Sequence, residues 1–494
     1  MIVLAAALII GFGGIFTSST SSIGSIGSVS TTTTGTGSST TTSTTPTTST
    51  ATTSTSDTTT TTSSVPTSST SSTTTSSSSS ASVTTIGGHT TSATSTQSEK
   101  FPSIFLTSKG NGSPSFSTTA GEFGESLAVG GSFLAVGAPN ETSAQQAGAG
   151  NVYVFNSSTG SLLETLTSPS PQLLGAFGWS VAVSGNSVIV GAPGENASQV
   201  PAAGHVYIFS ATTGKLLKTL SSPNPGSGGE FGGNMASSGS LLAVGAVMEN
   251  TTVGFAGRAY VYNVTTGSLI GTLQSPNQQY EGEFGSTTYA MPGYVIVGAQ
   301  NETTGNNVGA GRVYVYNAAN LSLVKTLTSP NAQEDGEFGF SLAGTGSTLI
   351  VGAPFETVDG VSQVGNVYAF SIASGALLQT FSGSTANQTL APDFGLAVAT
   401  GNGLIAVSAP YNGTQVSSTV ITGGAVYLYN ATSFAQISAM TAPSESSGYY
   451  SSTFGFALAM GPGTLSVGDP SAIQSIGTAP GYDFPGDAFI FEIN

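Results

Sequence analysis

The chain of 494 residues carries 7 basic against 23 acidic side chains, for a net charge of −16. Affinity for phosphate backbones comes from clustered Lys and Arg, and no such cluster exists, so no nucleic-acid partner is expected. The sequence has no Cys and 2 His. Disulfides and thiolate metal sites are thereby excluded, and His-based acid–base chemistry is left with almost nothing to work with.

The chain opens on an uncharged apolar run, Ile2–Phe16 (IVLAAALIIGFGGIF). Its length suits the core of an export signal and falls short of the ~17–25 residues that span a bilayer. Residues 1–16 are therefore read as a signal peptide or an amino-terminal membrane anchor, with cleavage left open. Residues 17–100 form a low-complexity stretch dominated by Ser and Thr, as in TTTTTTSSVPTSSTSSTTTSSSSS. It lacks the apolar side chains that offset ordering entropy and reads as a disordered stalk of the kind often O-glycosylated on exported proteins.

Residues 101–494 read as folded, and their number exceeds what a single core normally fills, about 250–300 residues, unless the architecture repeats. A repeat is present. Phe-Gly pairs begin at Phe123, Phe177, Phe231, Phe284, Phe338, Phe394 and Phe454. Each opens an apolar run. A second run follows and ends in a Gly-Ala-Pro-like turn: LAVGAP at Leu134–Pro139, VIVGAP at Val188–Pro193, LIVGAP at Leu349–Pro354. A third begins with Gly, as in GNVYVFN at Gly150, GHVYIFS at Gly204, GRVYVYN at Gly311 and GAVYLYN at Gly424. A fourth reads TGSLLETL or TGKLLKTL and ends in Ser-Pro-Asn or a variant. Four short strands per unit, seven units, predict an all-β, seven-bladed β-propeller. Runs such as VYVF are apolar on both faces, as strands buried between neighbouring blades must be. The seventh unit lacks a fourth strand, whereas SIFLTSKGN at Ser103–Asn111 resembles one. The amino-terminal strand is thus expected to complete the last blade and pair its bare edge.

These motifs resemble the FG-GAP repeats of integrin α-subunit head domains and related microbial surface proteins, over residues 101–494. The resemblance implies the propeller fold and an extracellular binding or adhesion role. In that family D-x-D-x-D-G-like loops between second and third strands commonly bind calcium. Here those loops read NETSAQQAGAG, GENASQVPAAG, MENTTVGFAG and QNETTGNNVGAG, without the alternating carboxylates that six to eight oxygen ligands require, so no metal and no cofactor is expected. The nearest approach is Glu356 with Asp359. The fourth-strand pattern also looks like that of quinone-dependent dehydrogenase propellers, whose docking tryptophans and vicinal cysteines are missing here; Trp179 stands alone.

Two sets of acids recur with the repeat: Glu122, Glu230, Glu283, Glu337 and Asp393 before the Phe-Gly pair, and Glu141, Glu195, Glu249, Glu302 and Glu356 after the Gly-Ala-Pro turn. Each set should form a ring on one face. Residues copied with a repeat usually serve the repeat, so these are expected to accept backbone N–H bonds in equivalent turns, cation binding or paired glycosidase-type carboxylates being the alternatives. His205 occupies a position filled elsewhere by Asn151, Arg258, Arg312, Asn366, Ala425 and Asp487, and this variability reads as a solvent-facing site. No catalytic constellation emerges, and the chain is read as a non-enzyme. Eleven N-x-Ser/Thr sequons, at Asn111, Asn140, Asn156, Asn196, Asn250, Asn263, Asn301, Asn320, Asn387, Asn412 and Asn430, are candidate glycosylation sites in an exported protein. The sequence thus points to a glycosylated surface head that binds an extracellular protein or glycan, with Asn412–Gly423 and Ser471–Gly486, the loops departing most from the repeat, as its contact loops. The alternatives are a propeller glycan hydrolase, recognisable by an axial pocket lined with carboxylates from different blades, and a structural envelope or filament subunit.

Overall fold

The third-strand runs are the key to the architecture. In Asn151–Asn156, Arg258–Asn263 and Arg312–Asn317 the four central residues are all buried while both ends are half-buried. A strand buried on both faces needs a sheet on either side, and seven such sheets can satisfy one another only by closing into a ring. The computed structural model describes residues 103–107, 110–111, 121–385, 391–415, 421–442, 449–450, 453–471, 473–475, 482–483 and 486–493; the apolar run 1–16 and the Ser/Thr-rich segment lie outside these residues. Among the described residues no helix is long and apolar enough to cross a membrane.

Blades 1 to 6 are each a four-stranded antiparallel meander in chain order. Blade 1 comprises Leu127–Gly130, Phe133–Ala138, Asn151–Asn156 and Leu162–Thr167. Blade 4 comprises Phe284–Met291, Tyr294–Ala299, Arg312–Asn317 and Leu323–Leu327. The first strand of each blade touches the first strand of the next, and that of blade 7 touches that of blade 1, so first strands line the axis. Fourth strands form the rim. They alternate exposed and inward-facing residues, with Leu166, Leu220 and Leu327 pointing in.

Blade 7 contains Leu458–Gly461, Thr464–Asp469 and Asp487–Glu492, and its fourth strand is Ser103–Thr107. The pairing is antiparallel, with Ser103, Ile104, Phe105 and Leu106 opposite Phe491, Ile490, Phe489 and Ala488. The closure expected from the sequence is present, and Leu106 is fully buried in it.

The Phe-Gly and Gly-Ala-Pro motifs explain one another across each blade boundary. All seven Phe side chains of the Phe-Gly pairs are among the largest fully buried groups; Phe123 packs edge-on against Tyr153 and Phe155, with centroids 5.4 and 6.1 Å apart, a favourable aromatic geometry. The following Gly178 adopts φ +95° and presents its carbonyl to Gly137 of the preceding blade, where a Cβ would lie 2.0 Å from that oxygen. No side chain fits on Gly137. The same contact recurs to Gly468 against Gly124, which seals blade 7 to blade 1. A serine hydroxyl fixes the contact: Ser126 donates to the Gly178 carbonyl at 2.8 Å and Ser180 to that of Gly232 at 2.7 Å.

Candidate functional face

In a four-stranded meander the connections alternate between ends. The turn entering each first strand and the loop between second and third strands therefore share one end of the propeller. Both recurrent acid sets lie there, but in different settings.

The outer set sits between blades. Glu195, Glu302 and Glu356 are fully buried, as is Glu249 almost entirely, while Glu141 is 8% exposed. Their partners are side chains, not the backbone N–H groups expected from the sequence. Glu302 accepts from Ser275 of the preceding blade and from the Tyr314 hydroxyl of its own, and Arg312 Nε stands 3.7 Å away. Ser168, Ser222 and Ser329 bond Glu195, Glu249 and Glu356 in the same way, as do the hydroxyls of Tyr207, Tyr260 and Tyr368. In blade 1 Tyr153 donates at 2.7 Å and Asn151 at 2.6 Å to Glu141. The sequence counterpart of the serine there, Ser108, is outside the described residues.

His205 is consequently not solvent-facing. Its Nδ1 lies 3.1 Å from Glu195 Oε2, and Arg258 and Asn366 occupy the same place beside Glu249 and Glu356. The identity varies because any N–H donor of suitable reach satisfies a buried carboxylate. A signal for this was present in the sequence. In blade 6 the four positions read Gly383, Asn412, Ala425 and Tyr427, and Asn412 donates to the Tyr427 hydroxyl at 2.9 Å. In blade 7 they read Ala442, Ala472, Asp487 and Phe489. Where the glutamate disappears, its serine goes with it, and in blade 7 so does the tyrosine hydroxyl. Glu356 is committed to this network while Asp359 stands on an exposed turn. Among the described residues no three His, Cys, Asp or Glu side chains are placed to hold a metal.

The inner set lines the axial mouth. Seven turns of the form x-Phe-Gly-x are each closed by the last N–H donating to the first carbonyl: Glu125 to Glu122, Trp179 to Ala176, Gly233 to Glu230, Ser286 to Glu283, Phe340 to Glu337, Leu396 to Asp393 and Phe456 to Thr453, at 2.9–3.1 Å. With each Phe driven into the core, the acids flanking it come near one another around the axis: Glu337 feels Glu283 and Asp393, and Glu283 feels Glu230. Burial is the main force on these acids. It pushes the Glu125, Glu337 and Asp393 carboxyls up to about 8 and those of Glu230 and Glu283 up to about 7, and neighbouring carboxylates push Glu125, Glu283 and Glu337 further the same way.

This has a consequence for stability. Carboxyls raised in the fold bind more protons folded than unfolded between about pH 4.5 and 8, so their contribution is complete in mild acid and is lost as pH rises through the folded values. The melting temperature is expected to fall by several degrees between about pH 5 and about pH 9. Glu337→Gln should flatten that slope, as a calorimetric pH series would show. A melting temperature rising over the same range would contradict the placement of these groups.

Symmetry breaks at blades 6 and 7. The second and third strands of blade 6 run on into a long hairpin, Leu404–Gln415 with Ile421–Asn430, pairing as far as Gln415 with Ile421. Tyr449–Tyr450, Ile473–Ser475 and Tyr482–Asp483 form an additional three-stranded sheet from the segment entering blade 7 and its second-to-third loop. Both elements belong to the end that carries the acids. At the opposite end, a depression of about 420 Å³ between blades 5 and 6 is lined by Thr345, Ser347, Leu378 and Phe434 and has no acid.

The FG-GAP repeat family matches residues 175–209, the stretch from Gly175 through the blade 2 third strand. The chain is an FG-GAP β-propeller protein. No curated protein matches it significantly. FG-GAP repeats are typical of extracellular or surface proteins, and the fold suits a binding or display module.

Proposed function

We propose that this FG-GAP propeller is a binding head of an exported, glycosylated surface protein, held away from its surface by the Ser/Thr-rich stalk and contacting an extracellular protein or glycan through the blade 6–7 side of its acid-bearing end. The observation that carries the reading is the break in symmetry. Blades 1 to 5 obey one plan closely, yet the blade 6 hairpin and the added sheet of blade 7 depart from it at one end. Elements with no role in closing the ring, set on a rigid scaffold, are where recognition loops belong. They coincide with the loops Asn412–Gly423 and Ser471–Gly486 singled out in the sequence.

Export is supported by the apolar run, the stalk composition and the sequons. Asn196, Asn250 and Asn320 are exposed, and Asn140, Asn156, Asn263, Asn301 and Asn430 are half-buried; the side chains of Asn111 and Asn387 lie outside the described residues. The amide nitrogen of Asn412 is engaged by Tyr427, and those of Asn140 and Asn301 by Glu122 and Glu283, so these three are expected to carry the least sugar. The hydrolase alternative gains carboxylates from different blades at the axis. Glycosidases, however, divide their acids into one protonated and one ionised group, whereas here burial moves all the mouth acids the same way.

The test replaces residues 414–422 by the Ser143–Gln146 turn of the blade 1 loop and removes 472–484 in a second variant. Attachment of the protein to cells or isolated envelope should drop about tenfold or more in at least one variant, with the melting temperature held within a few degrees. Full attachment by both variants would sink the reading.

A further inference from the structure

Among the described residues, the mouth acids have no cation beside them. The described cations are elsewhere: His205, Arg258 and Arg312 stand by the outer glutamates, Lys325 donates to the Ser374 carbonyl at 2.8 Å, and Lys215 and Lys218 lie in or beside the rim strand of blade 2. Asp393 is 9% exposed and its Oδ1 has no hydrogen-bond partner. A buried, unbonded carboxylate oxygen is costly to keep unless something binds it. The groups around it belong together. The Asp393 charge acts on Glu337, and Tyr411, carried at the base of the blade 6 hairpin, feels both Asp393 and Glu125 across the mouth. Phe340, the turn partner of Glu337, packs edge-on against Phe355 with centroids 5.6 Å apart. Acids and aromatic rings therefore share one rim.

We propose that the axial mouth binds an alkylammonium group, bonded by the open Asp393 carboxylate oxygen, drawn in through space by Glu337 and Glu125, and set against the Tyr411 ring. A bare divalent ion fits poorly, since no three of these acids stand close enough to ligate one together and calcium demands six to eight oxygens. A primary ammonium asks less. It needs only one open carboxylate oxygen to accept an N–H bond, more distant carboxylates attract its charge through space, and an aromatic face adds about 0.5–2 kcal/mol. The ligand is either a free polyamine or a lysine side chain on another molecule; the chemistry recognised is the same. Because the mouth carboxyls are held near 8 by burial, the ammonium must displace their protons, and binding tightens as pH rises through that range. This site does not depend on the contact loops of the display reading.

The chain carries its own reporter. Trp179 is the only Trp and occupies the turn position equivalent to Phe340 in blade 2. Titration of the full-length protein with spermidine, at constant ionic strength and about pH 9, should give a saturable change in Trp179 emission matched by calorimetry. Asp393→Asn and Glu337→Gln, made separately, should each weaken binding about tenfold, whereas Glu164→Gln on the rim should leave it unchanged. Lowering the pH to about 5.5 should abolish it. Saturable binding of spermidine alone assigns a free amine; equal binding of a short, end-blocked lysine peptide assigns a side chain. The proposal is overturned by absence of saturable binding to either probe, by binding indifferent to both substitutions, or by calcium competing at comparable affinity.

Discussion

A chain beginning at residue 112 is expected to lose cooperative melting, whereas one beginning at residue 101 should melt like the full-length protein. Removing Ser103–Thr107 strips blade 7 of its rim strand. Leu106 is fully buried, and its departure uncovers Ala488 and Ile490, which are buried to within a percent. The apolar loss alone is on the order of 2–3 kcal/mol for the leucine, with about 1 kcal/mol more for each ladder bond broken across four residue pairs. A larger effect lies in the topology. Blade 7 joins blades 6 and 1 through contacts such as Gly468 against Gly124, and a frayed blade 7 leaves both neighbours with an uncovered face. Circular dichroism melts with size-exclusion chromatography make the comparison. Adding a peptide spanning residues 101–111 to the shortened chain should restore part of the transition. If the shortened chain fails to express, Leu106→Asp, which places a charge in the same pocket, should show the same loss. A native-like melt for both variants would mean that the ring closes without this strand.

That strand was legible before any coordinates, as was the whole ring, because both rest on repetition. A motif seen seven times averages out local ambiguity, and the gap left by the missing fourth strand of blade 7 names its own filler at Ser103–Asn111. The acid sets were visible too, but the repeat does not state what lies across a blade boundary. Glu302 is joined to Ser275, 27 positions earlier and in another blade, and to Arg312, 10 positions later. Reading the His205 position column by column makes it look unconstrained. Its constraint is shared among four positions and emerges only when Gly383, Asn412 and Ala425 are seen to change together. The axial mouth was hidden for a different reason. Its acids directly flank buried Phe-Gly pairs of different blades, so groups such as Asp393 and Glu337 meet through ring closure, not through nearness in the chain. The contact loops were legible for the opposite reason, by failing to repeat.

The shared constraint leads to the second large effect. Glu302→Ala should destabilise the propeller by about 3–5 kcal/mol, since it leaves Ser275, Tyr314 and Arg312 facing a hole in the protein. Most of that cost is the penalty of stranded partners, not the worth of the original bonds. The molecule already contains the remedy. Blade 6 fills the same four places with Gly383, Asn412, Ala425 and Tyr427 and closes them with a single amide-to-hydroxyl bond. Transplanting that solution into blade 4, as Ser275→Gly, Glu302→Asn and Arg312→Ala with Tyr314 retained, should recover most of the loss, so that the triple variant is more stable than Glu302→Ala alone. Denaturant unfolding of the single, double and triple variants measures the coupling directly. Additive losses would show that the four residues act independently and that the blade boundary is held by the glycine contacts and aromatic packing alone. A rescue would show that each boundary is a self-contained polar module, with blade 6, the blade that extends its hairpin beside the axial mouth, using the uncharged version.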